Sequence, residues 1–276
     1  MKIPRMQTYW IAILGVVALP AYAVDGVVLI NQSGALAGGI TPGDTPGFPV
    51  TILLPGSYRL SSNLTVPDAN TTAIRIFADD VTIDLNGFSI IGPVTCLGIP
   101  VTSCSPAGTG NGIDSFQPQS RISIVNGSIV GMGANGVSLP GTNLRVEKLQ
   151  AFHNGLTGIL MPQRGEGLAS DCSAIANGAD GISAGTVTGS YAKGNGHKGI
   201  LSSGVNGTFT DNIVDSNGGN GIEGQGSITG NTVTRNQGDG ISAGCPSTIV
   251  ANLTTGNSGF GVNVSFLGCV LANNVP

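Results

Sequence analysis

Asn195-Gly-His-Lys-Gly-Ile200, Asn217-Gly-Gly-Asn-Gly-Ile222 and Asn236-Gln-Gly-Asp-Gly-Ile241 repeat one arrangement: an Asn, then a Gly four positions on, then an aliphatic residue. The same offsets hold at Asn154, Gly158 and Ile159, at Asn177, Gly181 and Ile182, and at Asn257, Gly261 and Val262. The repeat is about 18–24 residues long, and its internal spacing does not drift while its total length does. A self-similar unit of that size signals a stacked architecture and takes priority over any local assignment.

With each Asn numbered zero, three more columns line up. Position -8 reads Val146, Ala169, Val187, Phe209, Ile228 and Ile249; position -3 reads Ala151, Ala174, Ala192, Val214, Val233 and Thr254. Position +7 reads Met161, Ala184, Ser202, Gly224, Ala243 and Val264. The coil before them fits with Met132 in the Asn place, Ile124 at -8, Ile129 at -3 and Val137 at +5. Short apolar segments separated by polar turns cannot bury a face alone, but stacked turns bury all of them together. Gly and Asn in every repeat exclude a helix, and a barrel or sandwich of hairpins needs no constant offset. The spacing therefore predicts an all-β, single-stranded parallel β-helix, a β-solenoid.

The zero-position Asn residues (Asn154, Asn177, Asn195, Asn217, Asn236, Asn257) are expected to point inward and satisfy turn backbone groups in adjacent coils. A second small polar column is expected at -5, where Cys172, Ser190, Asn212, Asn231 and Asn252 stand. Gly at +4 suits either positive φ or a close neighbour. These residues are read as structural, despite their regularity.

Five segments are expected. Residues 1–23 read as a signal peptide: Lys2 and Arg5, an apolar Ile11 to Leu19, then Ala21-Tyr22-Ala23 as the cleavage site. The apolar run is too short to span a bilayer. Residues 24–49 read as a flexible lead-in with turn residues and no helix start. Residues 50–110 read as irregular capping coils with a cysteine-bearing loop, residues 111–266 as regular coils, and residues 267–276 as a tail. Cleavage near Ala23 leaves a secreted or periplasmic chain with no membrane span.

Only 9% of the residues are charged and the formal net charge is -4, or -6 without Lys2 and Arg5. No basic face for nucleic acid is available. Five cysteines in an exported chain suggest disulfides. Cys96 with Cys104 would close a small loop and Cys245 with Cys269 would join the last coils. Cys172 is then a small inward residue.

The x-Asn-x-x-x-Gly-Ile beat resembles the right-handed parallel β-helix repeat superfamily, which is pectate-lyase-like. Its members include pectate and alginate lyases, polygalacturonases, mannuronan epimerases and periplasmic NosD-like proteins. Thr51-Ile-Leu-Leu-Pro-Gly-Ser-Tyr-Arg-Leu60 and Asp80-Val-Thr-Ile-Asp-Leu-Asn-Gly-Phe88 resemble the opening of exported members. The right hand comes from this resemblance, which speaks to fold and little to activity. The Asn-Thr-Asp, Gly-His-Gly and Arg-Ile-Lys signatures of polygalacturonases are missing, as are the pectate lyase Arg-x-Pro-x-x-Arg and the epimerase Asp-Pro-His-Asp. The sole adjacent acidic pair is Asp79-Asp80, in the early coils.

Candidate chemistry gathers just before the Asn column. Lys193 and Asp215 share position -2 in successive coils, Arg235 follows at -1, Asp211 lies on the same strand as Asp215, and His197 and Lys198 occupy the next turn. A uronate lyase or epimerase needs a base beside the carboxylate and a cation to stabilise the developing charge. Lys193 or His197 is the candidate base, Arg235 the carboxylate clamp, and Asp211 and Asp215 hold the base or bind Ca²⁺. The competing reading is a surface ion pair of little energy. Two acids are few for calcium, and two histidines cannot make an all-histidine zinc site. The sequence leaves the cofactor open. Met and His are scarce for the copper-pathway role of NosD-like proteins. Tyr191 and Phe209 are expected in or beside the core, leaving Phe152, Phe260 and Phe266 as freer aromatics. Thr186/Thr188, Thr208/Thr210 and Ser227/Thr229 form a short outward array like an ice-binding face, although Thr is also simply a good strand residue.

The expected role is an exported protein that binds or presents at an extracellular or envelope polysaccharide. The alternatives are a polysaccharide lyase or uronate epimerase acting on an acidic glycan, and a structural or adhesion scaffold.

Overall fold

The short β runs of the coils stack in parallel on the runs of neighbouring repeats, and the product is a three-sided prism. The computed structural model of the chain describes residues 26–161, 167–202, 204–265 and 268–276; the leader read at residues 1–23, together with Trp10 and Phe266, lies outside them. Face A stacks Val27–Ile30 on Gly56–Leu60 and continues through Val81–Asp84, Thr186–Thr188 and Gly207–Thr210 to Val270–Ala272. Face B runs from Leu64–Thr65 through Ser173–Ile175, Tyr191–Lys193, Ile213–Asp215 and Thr232–Thr234 to Leu253–Thr255. Face C runs from Val50–Ile52 through Ile182–Ser183 and Ile200–Leu201 to Val262–Ser265. The chain is an all-β, right-handed parallel β-solenoid of about ten coils.

Period-2 alternation on each rung sends one aliphatic residue inward. Ile159, Ile182, Ile200, Ile222 and Ile241 form a fully buried column on face C, matched by Val187, Phe209, Ile228 and Ile249 on face A and Ala192, Val214 and Val233 on face B. Full burial of such a side chain stabilises by roughly 1.5–3 kcal/mol. Volume is conserved across the interior. Phe209 is the one large ring in its column, and Gly224 stands opposite, where a Cβ would come within 2.9 Å of that ring.

The inward Asn residues form two ladders. Asn195 Nδ2 donates to Asn217 Oδ1 at 2.9 Å and to the Ala174 carbonyl at 3.0 Å, while its Oδ1 accepts from the Asn177 backbone N–H and Asn177 Nδ2. The same four bonds recur at Asn177, Asn217 and Asn236. The second ladder runs from Ser190 through Asn212, Asn231 and Asn252 to Asn274. On the middle rungs, Asn177, Asn195, Asn217, Asn236 and Asn231, the amide has its whole hydrogen-bonding capacity met, the condition for burying it without penalty.

The glycines at +4 are there for space. A Cβ on Gly181 would lie 2.5 Å from the Gly199 carbonyl oxygen and 2.7 Å from Asn195 Nδ2. Positive φ falls instead on the residue before each ladder Asn, including Ala176, Gly194, Ser216 and Arg235.

Several expectations are corrected at the ends. The lead-in at 24–49 is not a loose strap: Val27–Ile30 pairs with 57–60, and Gln32–Ala37 is a helix capped by Asn31, whose Oδ1 accepts from Gly34 N–H at 2.8 Å. The stretch is structured because Ala35 is fully buried and Asn31 supplies an N-cap. The tail read at 267–276 is, over the described residues 268–276, likewise part of the stack. Val270–Ala272 pairs with 248–250, Asn274 extends the second ladder, and Val275 bridges to Leu253. Cys96–Cys104 and Cys245–Cys269 are disulfides and Cys172 is free and buried. Among the described residues no helix is long and apolar enough to cross a membrane.

Asn217→Ala removes the oxygen that accepts from the Asn195 backbone N–H and Nδ2, and the amide that donates to the Ala192 carbonyl and Asn236 Oδ1. It should cost about 3 kcal/mol or more in chemical denaturation, whereas Asn257→Ala, at the half-exposed last rung, should cost clearly less.

Candidate functional site

Because Ala192, Val214 and Val233 point inward, their neighbours on face B point out. Lys193, Asp215 and Thr234 are Cα partners on three successive rungs. Arg235 follows Thr234 in the left-handed corner conformation, φ 54°. The three charged groups meet at Asp215: Arg235 Nη2 lies 2.7 Å from Asp215 Oδ1, Lys193 Nζ lies 3.8 Å from Oδ2, and Thr234 Oγ1 donates to Oδ1 at 2.9 Å. The Asp215 side chain is 5% exposed, against 38% for Lys193 and 66% for Arg235. Burial pushes the Asp215 carboxyl up, but hydrogen bonds from Arg235, Thr234 and Ser216 and the charge of Arg235 outweigh it, holding the group below the usual aspartate range. At neutral pH two cations thus share one ionised carboxylate. The trio carries a net positive charge whose accessible part faces solvent, an arrangement suited to an incoming anion.

Tyr191 corrects the sequence reading. It lies two residues before Lys193 on the same rung and faces outward, between Ser173 and Ile213, half-buried rather than in the core. Phe209 is in the core. An aromatic ring and the exposed Ile213 therefore flank the cations on the solvent side of face B. Alternation alone could have placed Tyr191, since inward Ala192 sets its direction.

A second structural surprise is the cysteine-bearing insertion. Thr95–Gly98 and Val101–Ser105 form an antiparallel hairpin that lies against the corner beside face B. Val101 N–H donates to the Gly194 carbonyl, next to Lys193, at 2.9 Å. Ala69, Val94, Cys96, Val101 and Ala176 form a small buried cluster beneath it, with Ile175 packed alongside. A cleft of about 200 Å³ separates the hairpin from Gly133, Gly155 and Gly178.

Three residues of the sequence constellation, His197, Lys198 and Asp211, are not brought in. His197 Nδ1 lies 3.4 Å from Asp180, and Lys198 Nζ lies 2.7 Å from Glu223, which also accepts from Asn220. That is a separate ion-pair cluster at the next corner, and among the described residues no hydrogen bond or ion pair joins His197 to Asp215. Asp211 sits at the opposite corner of face B, in the left-handed conformation, four residues and about 13 Å from Asp215. The strand is extended, so residues close in sequence are far apart in space. Asp79 and Asp80 pair with Arg121 in the early coils. Among the described residues no group of three or more His, Cys, Asp or Glu is gathered to hold a metal ion.

A family model described as "Right handed beta helix region" matches residues 111–275. The chain belongs to that family. This β-helix protein is also similar to two solved structures. The mannuronan C-5 epimerase AlgE4 A-module of Azotobacter vinelandii is 13% identical, with 91% of this chain and 84% of that chain covered and a TM-score of 0.55. The Dettilon tailspike protein (gp208) is 14% identical, with 90% of this chain and 52% of that chain covered and a TM-score of 0.52. At such identities the likeness is one of fold. The search of curated proteins returns no match.

Asp215→Asn should destabilise by about 1–3 kcal/mol at neutral pH. Because the folded pKa is lowered, that stabilisation is present above the unfolded aspartate value of about 3.9 and lost as pH falls through the folded one. The gap in thermal midpoint between the two proteins should therefore close in acid. Burial pushes the Cys172 thiol up to about 12, so a thiol reagent at mildly alkaline pH should modify it only after unfolding.

Proposed function

We propose that this β-helix protein is exported and acts on an acidic polysaccharide, as a uronate lyase or epimerase, at the outer surface of face B. The observation that carries the reading is the Lys193–Asp215–Arg235 trio: two partly exposed cations anchored on one buried carboxylate, beside the outward ring of Tyr191. Export is supported by the basic, apolar and small-residue segments of 1–23 and by two disulfides, which persist in oxidising compartments. The fold shared with a mannuronan C-5 epimerase module makes a uronan a chemically reasonable substrate for a site of this charge.

In this reading Arg235 receives the uronate carboxylate through its free guanidinium edge. Asp215, kept ionised, carries no proton to exchange, so its part is to position Lys193 and Arg235. Lys193, once its ammonium has released a proton to solvent, is the group left to take the C5 proton, so Arg235 alone holds the carboxylate during that step. The electron pair released at C5 delocalises into the carboxylate, where Arg235 stabilises it. Expulsion of the C4 oxygen, which takes a proton from water as it leaves, then gives an unsaturated sugar, and return of a proton from water to the other face gives the epimer. Tyr191 offers its ring to a sugar face. A non-catalytic binding role is the second reading, favoured by the engagement of both cations with Asp215; it uses the same anion-binding trio without turnover.

The test is incubation of the purified protein with polymannuronate, polyguluronate and polygalacturonate. Elimination is followed by ultraviolet absorbance of the unsaturated product and epimerisation by solvent isotope exchange at C5. Lys193→Ala should lower turnover by about 10²-fold or more, and Arg235→Ala should raise KM. Binding without either product would support the second reading. Turnover unchanged in both variants would refute the site.

A further inference from the structure

The chain leaves face B after Ser89–Ile91 and rejoins the coil path near Asn111. The hairpin between these points does not fold over its own coil but lies lengthwise along the prism. The Cys96 sulfur lies 3.4 Å from the His153 carbonyl oxygen, and Val101 bonds Gly194. Its tip reaches the Gly218 corner, where an added Cβ would meet Pro100 at 3.5 Å. It thereby crosses the coils of Asn154, Asn177, Asn195 and Asn217, three rung spacings or about 14 Å. Its inner side is buried through Cys96 and Val101, yet Leu97 and Ile99 at the tip are 67% and 72% exposed. The Cys96–Cys104 disulfide and the Gly194 bond hold the hairpin tip in place, with Ile99 against Gly194, the residue after Lys193.

We propose that the hairpin is the wall of a polymer-binding groove parallel to the solenoid axis, with Leu97 and Ile99 packing against the C–H faces of sugar rings. The inference rests on the acidic-polysaccharide reading and goes further: it assigns the gain in affinity with chain length to Leu97 and Ile99 of the hairpin. Three features support it. The wall runs along the stacking direction, so its contacts accumulate over successive rings. Tyr191 and Ile213 stand on the open side of the cation trio, across face B from the corner the hairpin occupies. Excluding water beside Lys193 also strengthens its attraction for a uronate carboxylate.

The experiment is calorimetric titration with oligouronates of increasing length, from the monosaccharide upward, into the intact protein, the L97S/I99S double variant, and K193A. Both tip residues are exposed, so the double variant should keep its thermal midpoint. In the intact protein affinity should climb with length and level off once the wall is spanned. The double variant should bind the monosaccharide equally well but lose about tenfold for the longer chains, near 1.4 kcal/mol. An unchanged length dependence in the double variant, with binding still lost in K193A, would overturn the wall and leave the charged site standing. Failure of the intact protein to bind any oligouronate would remove the acidic-polysaccharide reading, and this inference with it.

Discussion

A tight corner inside a stacked prism buries backbone N–H and C=O groups that water cannot reach, and the rest of this structure depends on how they are met. The ladder amides do so by bonding both ways along the axis, donating to the next coil's Oδ1 and to a carbonyl of the coil before. That geometry works only if every coil presents its Asn at the same offset. The invariant spacing within each repeat follows, and so does the freedom of repeat length, since extra residues are accommodated at the third corner. The +4 glycines obey the same constraint, because a Cβ there would intrude on the ladder. Upstream, where Met132 and Leu149 replace the polar residue, the interior is apolar and the ladders stop.

An interior this regular leaves function to the outward positions. Residues a full repeat apart in sequence are brought to one rung spacing in space, which is how Lys193, Asp215 and Arg235 meet although 22 and 20 residues separate them in turn. In a chain with so few charges, three on adjacent rungs dominate their local field. Most exposed ion pairs contribute little. This one differs because its carboxylate is buried by the strands around it while its cations are not, so the acid is fixed and the bases remain available.

The departures from regularity carry the remaining information. Loops on a rigid scaffold are where proteins place recognition, and the hairpin is the longest excursion among the described residues between two face-B rungs. It is held by glycine corners that let it lie close, by a disulfide, and by a small apolar cluster of its own. The scaffold supplies straightness and the hairpin supplies relief; a groove needs both.

Periodicity alone settled the coil architecture, the inward columns, the amide ladders and the meeting of Lys193 with Asp215, because all of these follow from a constant offset and a fixed rung spacing. It settled little about the ends, where the six-residue helix at Gln32–Ala37 and the rung at Val270–Ala272 are too short to show a period. Tyr191 was misplaced for a different reason: it lies between two inward columns, and its direction depends on strand alternation, which the ladder offsets do not encode. The path of the hairpin and the separation of Asp211 and His197 from the trio were decided by tertiary structure. Docking joins residues such as Val101 and Gly194 that share no periodic relation, and an extended strand carries sequence neighbours to opposite corners.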